Sequence, residues 1–156
     1  MRVLYKVLEP SLSRPYRGDS YKGRGVLGSG VSKILIVDDD PSLRAILRLI
    51  FEMEGYEVAE AGHGKAALDL IVGPQLPDIV LTDLMMPVMD GNEFIRRLRS
   101  EPTTASILIV VLSANADAAQ GVRASERADA VMSKPFKPAT LVKLVRSLEV
   151  GVLRPG

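Results

Sequence analysis

Five side chains able to cooperate in chemistry stand at the ends of apolar runs. Asp38 and Asp39 follow the run 34–37, Asp83 follows 79–82, Ser113 follows 107–112, and Lys134 comes just after Val131 and Met132. If those runs are strands of one sheet, three carboxylates, a hydroxyl and an ammonium gather at one edge. Crowded carboxylates repel, so one of them must keep its proton or a cation must join them. The chain has 0 Cys and 1 His, which leaves oxygen donors. Such donors select a hard ion, Mg²⁺ first, because it accepts one or two carboxylates while keeping room for water and phosphoryl oxygens. Lys and Ser suit the outer oxygens of a phosphate in transfer. The set sketches a phosphoryl-accepting aspartate, with the metal and the ammonium offsetting the charge that develops.

The elements that must position these groups are legible from periodicity. From Lys33 onward apolar runs alternate with amphipathic stretches in five rounds. Strands are expected at 34–37, 57–60, 79–82, 107–112 and around Val131 and Met132. The first helix starts at Pro41, presents Leu43, Ile46, Leu47 and Ile50, and stops at Gly55. The second runs over about 65–72 to Gly73-Pro74, and the third turns Phe94, Ile95 and Leu98 inward. The fourth, 117–127, is Ala-rich with a thin apolar face; the fifth presents Leu141, Leu144, Val145 and Leu148. Five β/α units imply an α/β fold with a parallel sheet and helices on both faces. Its ligands sit beyond the carboxyl ends of the strands, where the strand order reverses.

Composition excludes several classes of function. Without Cys there is no disulfide scaffold, thiolate metal site or thiol nucleophile. The longest apolar run, 107–112, is far short of the roughly 18 residues of a spanning helix, and no signal-peptide core opens the chain. A soluble, cytoplasmic protein without a membrane partner is expected. The net charge of +1 is uneven: residues 1–32 hold six basic and two acidic side chains, the remainder 14 basic and 17 acidic. Residues 1–31 read as an irregular basic extension, 32–150 as the domain and 151–156 as a short tail. Nothing in the acidic body suggests a nucleic-acid surface.

Four stretches resemble the receiver domain of two-component response regulators: Lys33-Ile-Leu-Ile-Val-Asp-Asp-Asp40, Leu81-Thr-Asp-Leu-Met-Met-Pro-Val-Met-Asp-Gly91, Val111-Leu-Ser-Ala114 and Ser133-Lys-Pro-Phe136. The resemblance covers about residues 33–149. It implies a doubly wound, flavodoxin-like fold with five parallel strands in the order 2-1-3-4-5. It also implies that Asp83 is the phosphoacceptor, taking a phosphoryl group from a sensor histidine kinase or a histidine phosphotransfer protein. Asp38 and Asp39 would hold Mg²⁺ together with Asp83 and the backbone carbonyl of Met85, while Ser113 and Lys134 bind phosphoryl oxygens. The Lys134–Pro135 peptide would be cis. Such a domain is no conventional enzyme, since it catalyses only its own phosphorylation and dephosphorylation.

Two departures from the family pattern stand out. Val131 occupies the position usually held by an aromatic switch residue, so the coupled rotation of hydroxyl and ring can be only half present. Met85 and Asn115 occupy positions that tune attack of water on the acyl phosphate; apolar Met85 cannot orient water, and a long-lived phosphoryl group is expected. Only eight residues follow Leu148. The reading is therefore a stand-alone domain that signals to a downstream protein through its fourth helix, fifth strand and fifth helix, with a homodimer also admitted.

Other readings compete. A receiver-like scaffold would bind without being phosphorylated. A phosphatase of the haloacid-dehalogenase type would use Asp38 as nucleophile and Asp40 as acid, but no acidic pair follows Lys134. Gly23-Arg-Gly-Val-Leu-Gly28 matches the dinucleotide fingerprint, but no strand precedes it and no helix follows. His63, between Gly62 and Gly64, reads as a solvated turn, the Met85, Met86 and Met89 cluster as loop packing, and Asp90-Gly91 as turn chemistry.

Overall fold

The computed structural model describes residues 30–125 and 127–151. Most of the basic extension, the Gly23 to Gly28 fingerprint and the tail beyond residue 151 lie outside the described residues. Ten elements follow one another: β1 (Lys33–Val37), α1 (Pro41–Met53), β2 (Glu57–Ala61), α2 (Gly64–Leu70), β3 (Ile79–Thr82), α3 (Gly91–Ser100), β4 (Leu108–Ser113), α4 (Ala116–Ala124), β5 (Ala130–Ser133) and α5 (Pro138–Glu149). The strands form one parallel sheet in the order β2-β1-β3-β4-β5. This is the doubly wound α/β fold expected.

Alternation along the strands divides the core in two. Leu35, Val37, Val80, Ile109 and Val111 point to one face and meet Ala67 of α2, Phe94, Ile95 and Leu98 of α3, and Ala119 and Val122 of α4. Ile34, Ile36, Ile79, Leu81, Val110 and Leu112 point to the other and meet Leu47 and Phe51 of α1 and Leu141, Val142 and Val145 of α5. Burial on both faces is why β1, β3 and β4 are solid apolar runs. The edge strand β2 is mostly half-buried or exposed instead.

Register brings the strand ends together. Val37 lies opposite Thr82, and Thr82 opposite Val111, so Asp38 and Asp83 leave adjacent strands at the same level. The chain passes from β1 outward to β2 and returns to β3 on the other side, which puts both aspartates at the reversal point of the strand order.

The structure corrects several details. Ile46 is exposed: it lies one residue, about 100° round the helix, from buried Leu47, and Phe51 takes the inward position instead. α2 ends at Leu70 and α4 at Ala124, each earlier than periodicity suggested, while β4 runs one residue further and includes Ser113. Gly55 (φ +91°) follows α1, and its left-handed backbone explains the stop. No helix among the described residues is long and apolar enough to cross a membrane.

Candidate functional site

The turn after β1 is held by its own side chains. The Asp40 carboxylate accepts from the amides of Ser42 and Leu43 and caps α1, with Pro41 in the first helical position. Asp38 is buried; its Oδ1 accepts from the Asp40 amide at 2.9 Å and its Oδ2 from Lys134 Nζ at 2.6 Å. Asp39 is exposed, and its carboxylate makes no hydrogen bond or ion pair among the described residues.

Asp83 enters from β3. Its amide donates to the Val37 carbonyl at 3.0 Å, Oδ1 accepts from the amides of Leu84 (2.6 Å) and Met85 (3.2 Å), and Oδ2 accepts from Lys134 Nζ at 3.1 Å. One oxygen each from Asp38, Asp39 and Asp83 lies within 4.8 Å of the others. Lys134 thus bridges two of three converging carboxylates. Burial lowers the proton affinity of its ammonium, but the bonds and charges of Asp38 and Asp83 outweigh it, so the pKa lies above the usual lysine value.

Ser113 is buried, and its hydroxyl oxygen accepts from the Asn115 amide at 3.1 Å. Asn115 caps α4, its Oδ1 accepting from the Ala118 amide at 2.9 Å. The Ser113 carbonyl accepts from the Lys134 amide at 2.9 Å, so β4, β5 and the start of α4 meet here. Val131 is half-buried against the core under α2, α3 and α4. The Lys134–Pro135 peptide is cis.

The β3–α3 loop separates the methionines. Met86 and Met89 pack on the core, whereas the Met85 side chain is exposed and only its backbone approaches Asp83. Val88 has φ +67° and sits in a γ-turn closed by the Met89 amide on the Pro87 carbonyl at 2.7 Å, an uncommon conformation for a β-branched residue.

Three residues near this edge have roles that sequence reasoning missed. Gly91 is not only turn chemistry: a Cβ there would stand 2.0 Å from the Asp83 carbonyl oxygen, so its lack of a side chain lets α3 start against the site. The motif Asp90-Gly91 was the available signal. His63 is half-buried rather than solvated and caps α2, its Nδ1 accepting from the Ala66 amide at 3.1 Å. Arg44, whose Nη1 donates to the Asp38 carbonyl at 2.6 Å, left no signal beyond helical spacing.

The oxygen-only donor set of Asp38, Asp39 and Asp83, with more negative charge than Lys134 alone balances, fits a small hard cation such as Mg²⁺.

Comparison with known proteins agrees with this geometry. The family model described as response regulator receiver domain matches residues 34–146. The chain is 42% identical over 116 residues to the DNA-binding response regulator MtrA of Mycolicibacterium smegmatis, covering 74% of this chain and 49% of that protein. It is 36% identical over 116 residues to the phosphate regulon transcriptional regulatory protein PhoB of Pseudomonas aeruginosa, covering 74% of this chain and 50% of that protein. The match thus spans about half the length of these curated relatives. Among solved structures, the receiver domain of a signal transduction histidine kinase from Syntrophus aciditrophicus superposes with a TM-score of 0.70 at 32% identity, covering 81% of this chain and 96% of that one. TrrA of Thermotoga maritima, solved in complex with Mg²⁺ and BeF, gives a TM-score of 0.67 at 30% identity, covering 76% and 99%. The fold and the edge on which its acids converge define a phosphoacceptor-type signalling module. The chain belongs to the response regulator receiver domain family.

The haloacid-dehalogenase alternative is not favoured: the Asp40 carboxylate it needs as an acid is engaged in capping α1. The unphosphorylated scaffold is not favoured either, since the acids and Lys134 converge as phosphoryl chemistry requires.

Proposed function

We propose that Asp83 accepts a phosphoryl group from the phosphohistidine of a sensor histidine kinase or histidine phosphotransfer protein. A carboxylate oxygen of Asp83 forms the new bond to phosphorus, the P–N bond breaks, and its electron pair returns to the imidazole nitrogen of the donor. The product is an acyl phosphate. Lys134 supplies a fixed positive charge, and Ser113 a hydroxyl, for the phosphoryl oxygens. Asp38, Asp39, Asp83 and the Met85 carbonyl would hold Mg²⁺, which when bound offsets the charge on the transferring group. The observation that carries this reading is the Lys134 ammonium bonded at once to Asp38 and Asp83, with Asp39 beside them.

Readout passes from Ser113 through Asn115 to α4. Those two residues share a hydrogen bond at the helix cap, so a phosphoryl group drawing on the Ser113 hydroxyl would act on the start of α4. With Val131 at the aromatic position, Ser113 carries the switch, and Met85 and Asn115 set the lifetime of the phosphoryl group. The face built by α4, β5 and α5 contacts a downstream protein. Incubation of the full chain with acetyl phosphate and Mg²⁺, read by intact mass, tests the proposal. One added phosphoryl group, absent in Asp83→Asn, is expected; an adduct that persists in Asp83→Asn overturns it.

A further inference from the structure

We propose that Arg44 is a positioning residue for the cation site: by gripping the carbonyl of Asp38 it presets the direction in which Asp39 projects. The inference rests on the functional reading above. Arg44 extends from the first turns of α1 across the ends of β1 and β2. Its Nη1 donates to the Asp38 carbonyl at 2.6 Å, and its Nε lies 3.5 Å from Glu60 Oε1. That Nε is buried and makes no hydrogen bond, so its hold on Glu60 is an ion pair. The slot is walled by the turn after β2, where a Cβ at Gly62 would stand 3.7 Å from Nη1. Glu60 is steadied in turn by Arg48, whose Nη1 reaches Oε2 at 2.9 Å.

The consequence follows from peptide planarity. The carbonyl of Asp38 and the amide of Asp39 belong to one rigid unit, so fixing the carbonyl fixes the plane on the N-terminal side of Asp39. The plane on its C-terminal side is fixed by the Asp40 amide, which donates to Asp38 Oδ1 at 2.9 Å. Among the described residues Asp39 has no side-chain bond to hold it, yet both flanking peptides are clamped, one of them by Arg44. Its Cα–Cβ bond is thereby preset toward the other two, and only its side-chain rotamer is left to order when a cation arrives.

Charge and position make opposite predictions here, which renders the inference testable. A guanidinium near a cation site repels the cation, so if charge were the whole effect, removing Arg44 would tighten binding. If Arg44 acts by position, removing it weakens binding. Lysine cannot reach the Asp38 carbonyl and Glu60 together with one compact ammonium, so it should restore only part of the effect.

The experiment titrates Mg²⁺ calorimetrically into the unphosphorylated full chain of wild type, Arg44→Ala and Arg44→Lys, with thermal melts in chelator to establish that each is folded. Arg44→Ala is expected to weaken Mg²⁺ binding roughly tenfold, the scale seen when a ligand loses an outer hydrogen-bonding partner, with Arg44→Lys between. The rate of phosphoryl uptake at saturating Mg²⁺ should stay near wild type. An unchanged or tighter dissociation constant in folded Arg44→Ala overturns the inference. Should that variant melt below the assay temperature, Arg44→Lys, which keeps the charge and loses the grip, decides: weaker Mg²⁺ binding supports the inference and unchanged binding overturns it. A wild type that neither binds Mg²⁺ nor takes up a phosphoryl group would instead sink the functional reading, so the two failures are distinct.

Discussion

The two edges of the sheet use the same residue types to opposite ends. At the amino edge, Asp78 accepts the Lys33 amide at 2.9 Å, and Asp129 Oδ2 accepts both the Ile109 amide and Arg99 Nη2 at 2.8 Å. Arg99 also donates to the carbonyls of Ala105, Ile107 and Arg127. These charges are saturated by neighbours and tie strands to loops. At the carboxyl edge, Asp38 and Asp83 share Lys134, and Asp39 beside them has no bonded partner among the described residues. The contrast teaches that saturation, more than burial or residue type, separates a structural charge from a working one. A saturated carboxylate has spent its lone pairs on the fold; an undersaturated cluster keeps them for a cation or a phosphoryl group.

The largest effect on stability should come from the amino edge. Asp129→Ala removes the carboxylate that Arg99 Nη2 and the Ile109 amide share, and is expected to cost about 3 kcal/mol in thermal or urea unfolding. Phosphoryl uptake measured well below the melting temperature should stay within about twofold of wild type, because no group at the other edge moves. A collapse of uptake in the folded variant would break the division between the edges.

Lys134→Met comes next. In chelator it leaves the carboxylates without their ammonium, and a loss of about 1–2 kcal/mol is expected together with loss of phosphoryl uptake. The sign with pH follows from the raised pKa of Lys134 in the folded state. Its stabilisation is full below the unfolded lysine value and is lost as pH climbs through the folded one. The gap in Tm between wild type and variant should therefore hold steady from neutral pH to about pH 9 and close above about pH 10.5.

Smallest is Asp39→Asn, and its sign sharpens the comparison. Removing the unbonded carboxylate relieves repulsion, so the variant should be more stable than wild type in chelator by under about 1 kcal/mol. Added Mg²⁺ should reverse that order, because wild type gains from binding and the variant loses a ligand. A variant less stable than wild type in chelator would show that Asp39 is structural after all.

Much of this was legible from sequence because it depends on strand ends. Asp38, Asp83 and Ser113 each stand at the end of a solid apolar run, and in a parallel sheet such ends fall on one edge. Helix rotation is harder to read. Leu43, Ile46, Leu47 and Ile50 all fit the helical period, but only the packing of Phe51 and Leu47 on β1 and β3 decides that Ile46 faces out. Arg44 was hidden for the same reason: its reach to Asp38 depends on which side of α1 meets β2. His63 and Met85 sit in loops, where one side chain turned inward or outward leaves no period. The dual bond of Lys134 required the ends of three strands, β1, β3 and β5, to be brought together, and no local pattern encodes that.

The most direct test of the account is to locate the phosphoryl group itself. After treatment with acetyl phosphate and Mg²⁺, reductive trapping of the acyl phosphate followed by peptide mapping should mark Asp83 alone. Label on Asp38 or Asp39 would contradict the account, because the edge would then have a different nucleophile and Lys134 a different charge to balance.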